Sequence, residues 1–289
     1  MLIPTDWKDY ELIDTGMGEK LERWGKVILR RPDPQIIWPA TLSNAEWNKV
    51  DAHYHRSKTG GGSWEMKRSL PERWNVGYKG MNFIVRPTDF KHTGLFPEQA
   101  VNWDWFQTII RRSERPLKVL NLFAYTGGAT IAAARAGAEV CHIDAAKGMV
   151  NWARENATVS GLADHPIRYI VDDVIKFVER EKRRGRQYDG IIMDPPSYGH
   201  GPKGEVWHIE DALYGFVERC VDILAPSPSF FLINSYTTKF SPTVLANILK
   251  MTVGSRFEGQ ITGDEIGLPI TASGLLLPCG VYGRWEKLP

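Results

Sequence analysis

Leu120-Asn121-Leu122-Phe123-Ala124-Tyr125-Thr126-Gly127-Gly128 begins as a short apolar strand and turns within a few residues into two glycines that open a helix. Such a turn lets backbone approach a ligand, and the helix start offers free N–H donors to a carboxylate or phosphate. The same texture continues downstream. Strands are expected at 117–123, 139–143, 167–171, 188–193 and 229–234, with helices at 128–136, 146–158, 173–184, 209–224 and 241–253. Gly137 and Gly161 stand where helix C-terminal glycines belong. This alternation predicts an α/β fold with a doubly wound, Rossmann-like parallel sheet. After 254 the helical period does not return, and residues 275–285 read as one or two closing strands with a kink.

Upstream of this block the texture differs. Residues 1–95 are rich in Trp, Pro, Gly and charge, with short alternations such as Lys26-Val27-Ile28-Leu29-Arg30 and Asn82-Phe83-Ile84-Val85-Arg86. They predict a small, mostly β N-terminal region, and residues 96–289 the larger domain. At 289 residues the chain has enough length for both. Residues 55–63, basic and glycine-rich, fit either a mobile loop that meets phosphates or an ordinary connection.

Composition excludes several classes. Lys and Arg number 36 against 34 Asp and Glu, a net +2, so bulk charge does not mark a nucleic-acid binder and any such contact must come from a local patch. Residues 111–115 and 181–186 are the basic stretches available, and each also reads as a solvated helix end. Cys141, Cys220 and Cys279 have neither disulfide-framework nor zinc-ligand spacing, so no metal is expected and a reducing, cytoplasmic compartment fits. The acidic N-terminus lacks a signal-peptide core, and no stretch holds 18 uninterrupted apolar residues, so no membrane association is expected.

In an open α/β sheet, ligands bind beyond the carboxyl ends of the strands. Phe123 and Tyr125 stand where a dinucleotide fingerprint needs glycines, which argues against an NAD enzyme. Asp144 follows the second strand, with Ala145 beside it, about 20 residues past the first turn, where an acid meets a ribose; it reads equally as a helix cap. Asp172 and Asp173 follow the third strand, one suited to cap a helix and the other to accept from an amino group, or both simply capping or solvated. After the fourth comes Asp194-Pro195-Pro196-Ser197-Tyr198, a stiff loop with free carbonyls that can hold an amino group or base edge. Residues 199–208 follow it as either a substrate lid or a flexible surface loop.

These residues together resemble class I S-adenosylmethionine (SAM) dependent methyltransferases, and among them the bacterial enzymes that methylate cytosine C5 in large-subunit ribosomal RNA. Asp89-Phe90-Lys91-His92-Thr93-Gly94-Leu95-Phe96-Pro97-Glu98-Gln99 is similar to that family's HKTGFFxDQ segment, with Glu98 in place of Asp. Residues 120–128 are almost its LNLFSYTGG loop, and Asp172-Asp173-Val174 is similar to its DDVF site. The resemblance runs over about residues 89 to 285. It implies that SAM is held by Lys91, Thr93, Gly94, Phe96, Gln99, Asn121, Phe123, Ala124, Tyr125, Thr126, Gly127, Asp144, Ala145, Asp172, Asp173 and Asp194. Asp144 would take the ribose hydroxyls and Asp173 the adenine.

One departure matters. Cytosine C5 is a poor nucleophile and needs a thiolate to add at C6. The family's cysteine lies in a CSCS-like turn after the fifth strand, where this chain has Ile233-Asn234-Ser235-Tyr236-Thr237-Thr238. Carbon methylation by that route is therefore not expected. The Asp194 loop also resembles the Asp/Asn-Pro-Pro-Tyr/Phe motif of methyltransferases acting on planar nitrogen, with one residue added before the aromatic ring. Asp194, Pro195, Pro196 and Tyr198 are thus the expected catalytic residues, with Asp194 and the Pro195 carbonyl accepting from an NH2 and Tyr198 stacking on the ring. RNA, ribosomal RNA foremost, is the favoured substrate and an exocyclic nitrogen the favoured acceptor. A small-molecule or protein methyltransferase, and a SAM-fold module without catalysis, stay open, as does the oligomeric state.

Overall fold

The computed structural model describes residues 1–57, 61–201, 204–237 and 239–288. The chain divides into two compact units. One comprises Ile3–Glu98 and Gly267–Pro278; the other comprises Met1–Leu2, Gln99–Ile266 and the chain from Cys279.

The smaller unit contains β1 (Tyr10–Gly16), β2 (Glu19–Trp24), β3 (Val27–Pro32), α1 (Asn44–Trp47), β4 (Ala52–Arg56), β5 (Gly62–Met66), β6 (Trp74–Tyr78) and β7 (Met81–Val85). Five of the strands form a sheet in the order β1-β2-β3-β4-β5, and β6 pairs with β7 as a separate hairpin. Polar groups fix its interior. Glu22 is fully buried, accepting from Tyr10 Oη at 2.8 Å and from Arg31 Nε and Nη2 at 2.6 and 2.8 Å. Asp14, also buried, accepts from the Thr41 and Leu42 backbone and from Trp47 Nε1, which ties the segment before α1 to the sheet. A capping box between Ser43 and Glu46 starts that short helix. Residues 267–278 join this unit through Thr271 and Ala272, whose N–H groups donate to the Leu12 and Ile13 carbonyls.

Of the stretch 55–63, His55 and Arg56 lie in β4 and pair with Ser63 and Gly62 of β5. Lys58, Thr59 and Gly60, which the loop reading included, lie outside the described residues.

The larger unit contains α2 (Ala100–Arg112), β8 (Lys118–Leu122), α3 (Gly128–Arg135), β9 (Glu139–Asp144), α4 (Lys147–Val159), β10 (Ile167–Val171), α5 (Val174–Arg183), β11 (Gly190–Met193), β12 (Tyr198–His200), β13 (Val206–His208), α6 (Ile209–Val221), β14 (Phe230–Ser235) and α7 (Pro242–Met251). β15 (Gln260–Pro269) and β16 (Leu276–Glu286) complete it through Ile266 and from Cys279. The sheet order is β10-β9-β8-β11-β14-β16-β15, parallel from β10 to β14 and antiparallel between β14 and β16. This is the expected doubly wound α/β sheet. The central strands are buried on both faces, as Val119, Leu120 and Leu122 of β8, Ile191, Ile192 and Met193 of β11, and Phe231, Leu232 and Ile233 of β14 show. On one face they pack against Phe177 of α5, Phe216 of α6 and Leu245 of α7.

Among the elements not anticipated are α2 and β15. α2 buries Ala100, Trp103, Phe106 and Ile110 on one face, and β15 adds an outer strand. Of the one or two closing strands expected at 275–285, the structure has one, β16 (Leu276–Glu286). The basic stretches are partly neutralised, because Arg115 grips Asp189 with two nitrogens and Lys182 reaches Asp222. No described helix is long and apolar enough to cross a membrane.

Candidate functional site

The chain leaves β8 for β9 and β10 on one side and returns to β11 on the other, so the order reverses beside β8 and the loops after β8 and β11 are neighbours. Register aligns them closely. Leu122 pairs with Ile143 and with Met193, which brings Phe123, Asp144 and Asp194 to one level at the carboxyl edge.

After β8 the backbone takes the left-handed region at Phe123 (φ 56°), Tyr125 (φ 49°) and Gly127 (φ 85°). Two non-glycine residues there cost on the order of 1–3 kcal/mol each, so the surroundings must hold them. They do: Ala124 N donates to Ile143 O, Tyr125 N to Asp144 Oδ2 at 2.8 Å, and Asn156 Nδ2 to Thr126 O. The Phe123 ring packs on Trp207 and Phe216. A Cβ at Gly127 would lie 2.9 Å from the Ala153 Cβ, so glycine is needed there for space as well as for φ. Asn121 is turned inward. Its amide donates to Thr130 Oγ1, which also bonds His142 Nδ1, and burial pushes that histidine down to about 3, so the network behind the loop is neutral.

Asp144 ends β9. Its Oδ2 accepts from Tyr125 N and its Oδ1 from Ala146 N, both at 2.8 Å, which leaves a lone pair on each oxygen for hydroxyl donors. Burial pushes its carboxyl above the ordinary range, against the pull of those two N–H groups. Ala145, half-buried, sits between it and the start of α4. After β10 the two acids divide their tasks. Asp173 caps α5 by accepting from Lys176 N at 2.9 Å, and Asp172 accepts from Asp173 N and pairs with Arg180.

After β11, Asp194 is half-buried, and Asn234 of β14 donates from Nδ2 to its Oδ1 at 3.0 Å. Pro195 is buried, whereas Pro196 and Tyr198 are exposed. The loop's carbonyls are not all free as expected: Trp207 Nε1 donates to Pro196 O at 2.7 Å, and Ile209 N to Ser197 O. Ser197 Oγ meets Thr237 Oγ1 at 2.5 Å. Residues 198–200 and 206–208 pair as strands β12 and β13, and Tyr198 lies between His200 and His208. Pro202 and Lys203 lie outside the described residues.

Sequence reasoning missed Asn234 and Tyr236 as members of this edge. Gln99 Nε2 donates to Tyr236 Oη at 2.9 Å, Asn102 Nδ2 donates to Gln99 Oε1, and Arg284 donates to Asn102 Oδ1. A polar chain thus runs from the start of α2 to the turn after β14. Thr238, quoted with that turn, lies outside the described residues.

Lys91, Thr93, Gly94 and Phe96 belong to the smaller unit. There Lys91 gives its carbonyl to Arg31 and its ammonium to Pro32 O, and burial lowers its pKa. Thr93 is fully buried, its hydroxyl without a partner among the described residues, and Gly94 is left-handed at φ 96°.

The family described as S-adenosylmethionine-dependent methyltransferase matches residues 5–237. The crystal structure of a SAM-dependent methyltransferase from Agrobacterium tumefaciens is similar at 37% identity and TM-score 0.94, over 99% of this chain and 93% of that one. A chain solved in complex with SAH matches at 18% identity and TM-score 0.72, over 97% of this chain and 76% of that one, which speaks to fold alone. Among curated relatives, a ribosomal RNA large subunit methyltransferase K/L from Pseudomonas paraeruginosa is 28% identical over 83% of this chain. The chain spans 31% of that relative's length.

Proposed function

The chain belongs to the family of SAM-dependent methyltransferases, and from that premise we propose that it methylates RNA, ribosomal RNA foremost, at a planar nitrogen held by the Asp194 loop. The observation that supports this reading is the register, which sets Phe123, Asp144 and Asp194 side by side at the switch point, as a cofactor loop beside an acceptor loop would require.

SAM supplies an activated methyl group. The residues suit it. Asp144 retains acceptor capacity for two ribose hydroxyls, the backbone of residues 123–127 is held in one shape, and Asp172 and Asp173, at the carboxyl end of β10, are the acids proposed for the adenine side. Asp194, fixed by Asn234, and the Pro195 carbonyl accept hydrogen bonds from the acceptor amine, while Tyr198 offers an exposed ring for stacking. Transfer is an in-line displacement, so alignment at about 3–3.5 Å provides most of the acceleration. The names of the curated relatives support RNA, and the cytoplasm is the compartment proposed with it.

Nitrogen is preferred over carbon because of where the thiols are. Cys141 and Cys220 are buried, and burial raises both thiols, Cys141 to about 11. The described part of the turn after β14 holds Tyr236 and Thr237 and no cysteine.

Labelled methyl transfer from SAM to RNA of a strain lacking the protein tests the proposal. Incorporation by the wild type and its loss in Asp194→Ala are expected. If no RNA from that strain accepts methyl, the proposal fails.

A further inference from the structure

His53 and His55 of β4 and Glu65 of β5 crowd one face of the hairpin, and we propose that they form a binding site for a zinc-like divalent cation. Register accounts for the crowding: His53 pairs with Glu65 and His55 with Ser63, so His53, His55 and Glu65 point to the same side. One nitrogen from each imidazole and one oxygen of Glu65 all lie within 4.8 Å of one another. The rings are 3.9 Å apart, and His55 Nε2 stands 2.9 Å from Glu65 Oε2. On β2, Glu19 approaches His53 Nε2 at 2.6 Å, which offers a further oxygen.

Two imidazoles and a carboxylate are the donor set of open zinc sites, with bonds of about 2.0–2.2 Å. Seating an ion requires these donors to draw closer. That freedom exists on one side of the cluster, where the His55 and Glu65 side chains are 51% and 53% exposed, while His53, at 11%, is the anchor. The carboxylates are not electrostatically vacant, since Arg30 pairs with Glu19 and Lys67 stands 4.0 Å from Glu65. Selection therefore rests on the two imidazole nitrogens, which favours Zn2+, Co2+ or Ni2+ over Mg2+ and Ca2+. A bound ion would tie the edge strand β5 to β4, and through Glu19 to β2. None of these residues is assigned to methyl transfer, so this site and the proposed reaction stand or fall separately.

The full chain, stripped with a chelator and dialysed, is titrated with Zn2+ by calorimetry and with Co2+ by visible absorption. One ion per chain is expected, with bands typical of imidazole-bound Co2+ and no displacement by equimolar Mg2+. His55→Ala and Glu65→Gln, both at exposed positions, should leave the metal-free melting curve unchanged and weaken Zn2+ binding by at least the roughly tenfold that loss of even an outer partner causes. Absence of saturable binding by the wild type, or equal binding by both variants, would overturn the site.

Discussion

Gln99 and Tyr236, 137 residues apart, are joined by a 2.9 Å hydrogen bond from the Gln99 amide to the Tyr236 hydroxyl. Through it the first residue ahead of α2 fixes the turn after β14, next to the strand that carries Asn234 and its bond to Asp194. This is the turn in which the resemblance to the ribosomal enzymes leads one to expect a cysteine, and its described residues hold the Tyr236 and Thr237 hydroxyls.

Tyr236→Phe removes that acceptor and leaves a half-buried amide short of a partner, at about 1 kcal/mol. Loosening the turn misplaces the acceptor, and misplacement of about 1 Å costs on the order of 100-fold in rate. Turnover should fall by tenfold or more while calorimetric SAM affinity changes far less. Equal loss of both would show that Tyr236 serves the cofactor instead.

Asp144→Ala should weaken SAM binding by about tenfold or more, some 1.4 kcal/mol, read by calorimetry. Burial raises this carboxyl above its ordinary value of about 3.9. The ionised acceptor form is therefore lost as pH falls through that raised value, and SAM affinity, flat near neutrality, should decline there sooner than an ordinary Asp would dictate. The sign for stability follows too: a raised carboxyl detracts from folding as pH rises through it.

Glu22 behaves oppositely. Burial pushes its carboxyl up, but the charges of Arg31 and Lys20 outweigh this and bring it down to about 2. Its stabilisation is present above the ordinary value of 4.5 and drains away as pH falls toward 2. Glu22→Gln leaves Arg31 buried without its counter-charge and should cost about 3–5 kcal/mol in urea unfolding at neutral pH. The gap between wild type and variant should narrow in acid.

Cys279 is the thiol that bears on the acceptor question. β16 runs antiparallel to β14 with Val281 opposite Ser235, so Cys279, half-buried, stands beside the end of β14. Under the nitrogen reading, Cys279→Ala leaves methyl transfer unchanged. A loss on the order of 10⁴, as removal of a catalytic nucleophile gives, would return the chemistry to carbon.

The alternating apolar strands and glycine-marked helix ends of residues 117–253 were legible because local periodicity encodes them. The acids after β9, β10 and β11 were legible as strand-end residues, but which of Asp172 and Asp173 caps α5 was not, since a hydrogen bond to Lys176 N decides it. β15 escaped notice because Gly263, Asp264 and Glu265 interrupt any alternation, and pairing with β16 rather than propensity holds it. α2 carries a readable face in Ala100, Trp103, Phe106 and Ile110, diluted by Asn102, Asp104 and Gln107. Tyr236 and Asn234 owe their places to partners far along the chain, Gln99 and Asp194, which no local pattern announces.

The central claim is methyl transfer from SAM to an RNA nitrogen, and mass spectrometry of nucleosides from total RNA of parental and deletion strains tests it most directly. The deletion strain should lack one N-methylated nucleoside, and wild-type protein with SAM should restore it in vitro, whereas Asp194→Ala should not. Identical nucleoside profiles, or loss of 5-methylcytidine alone, would contradict the account.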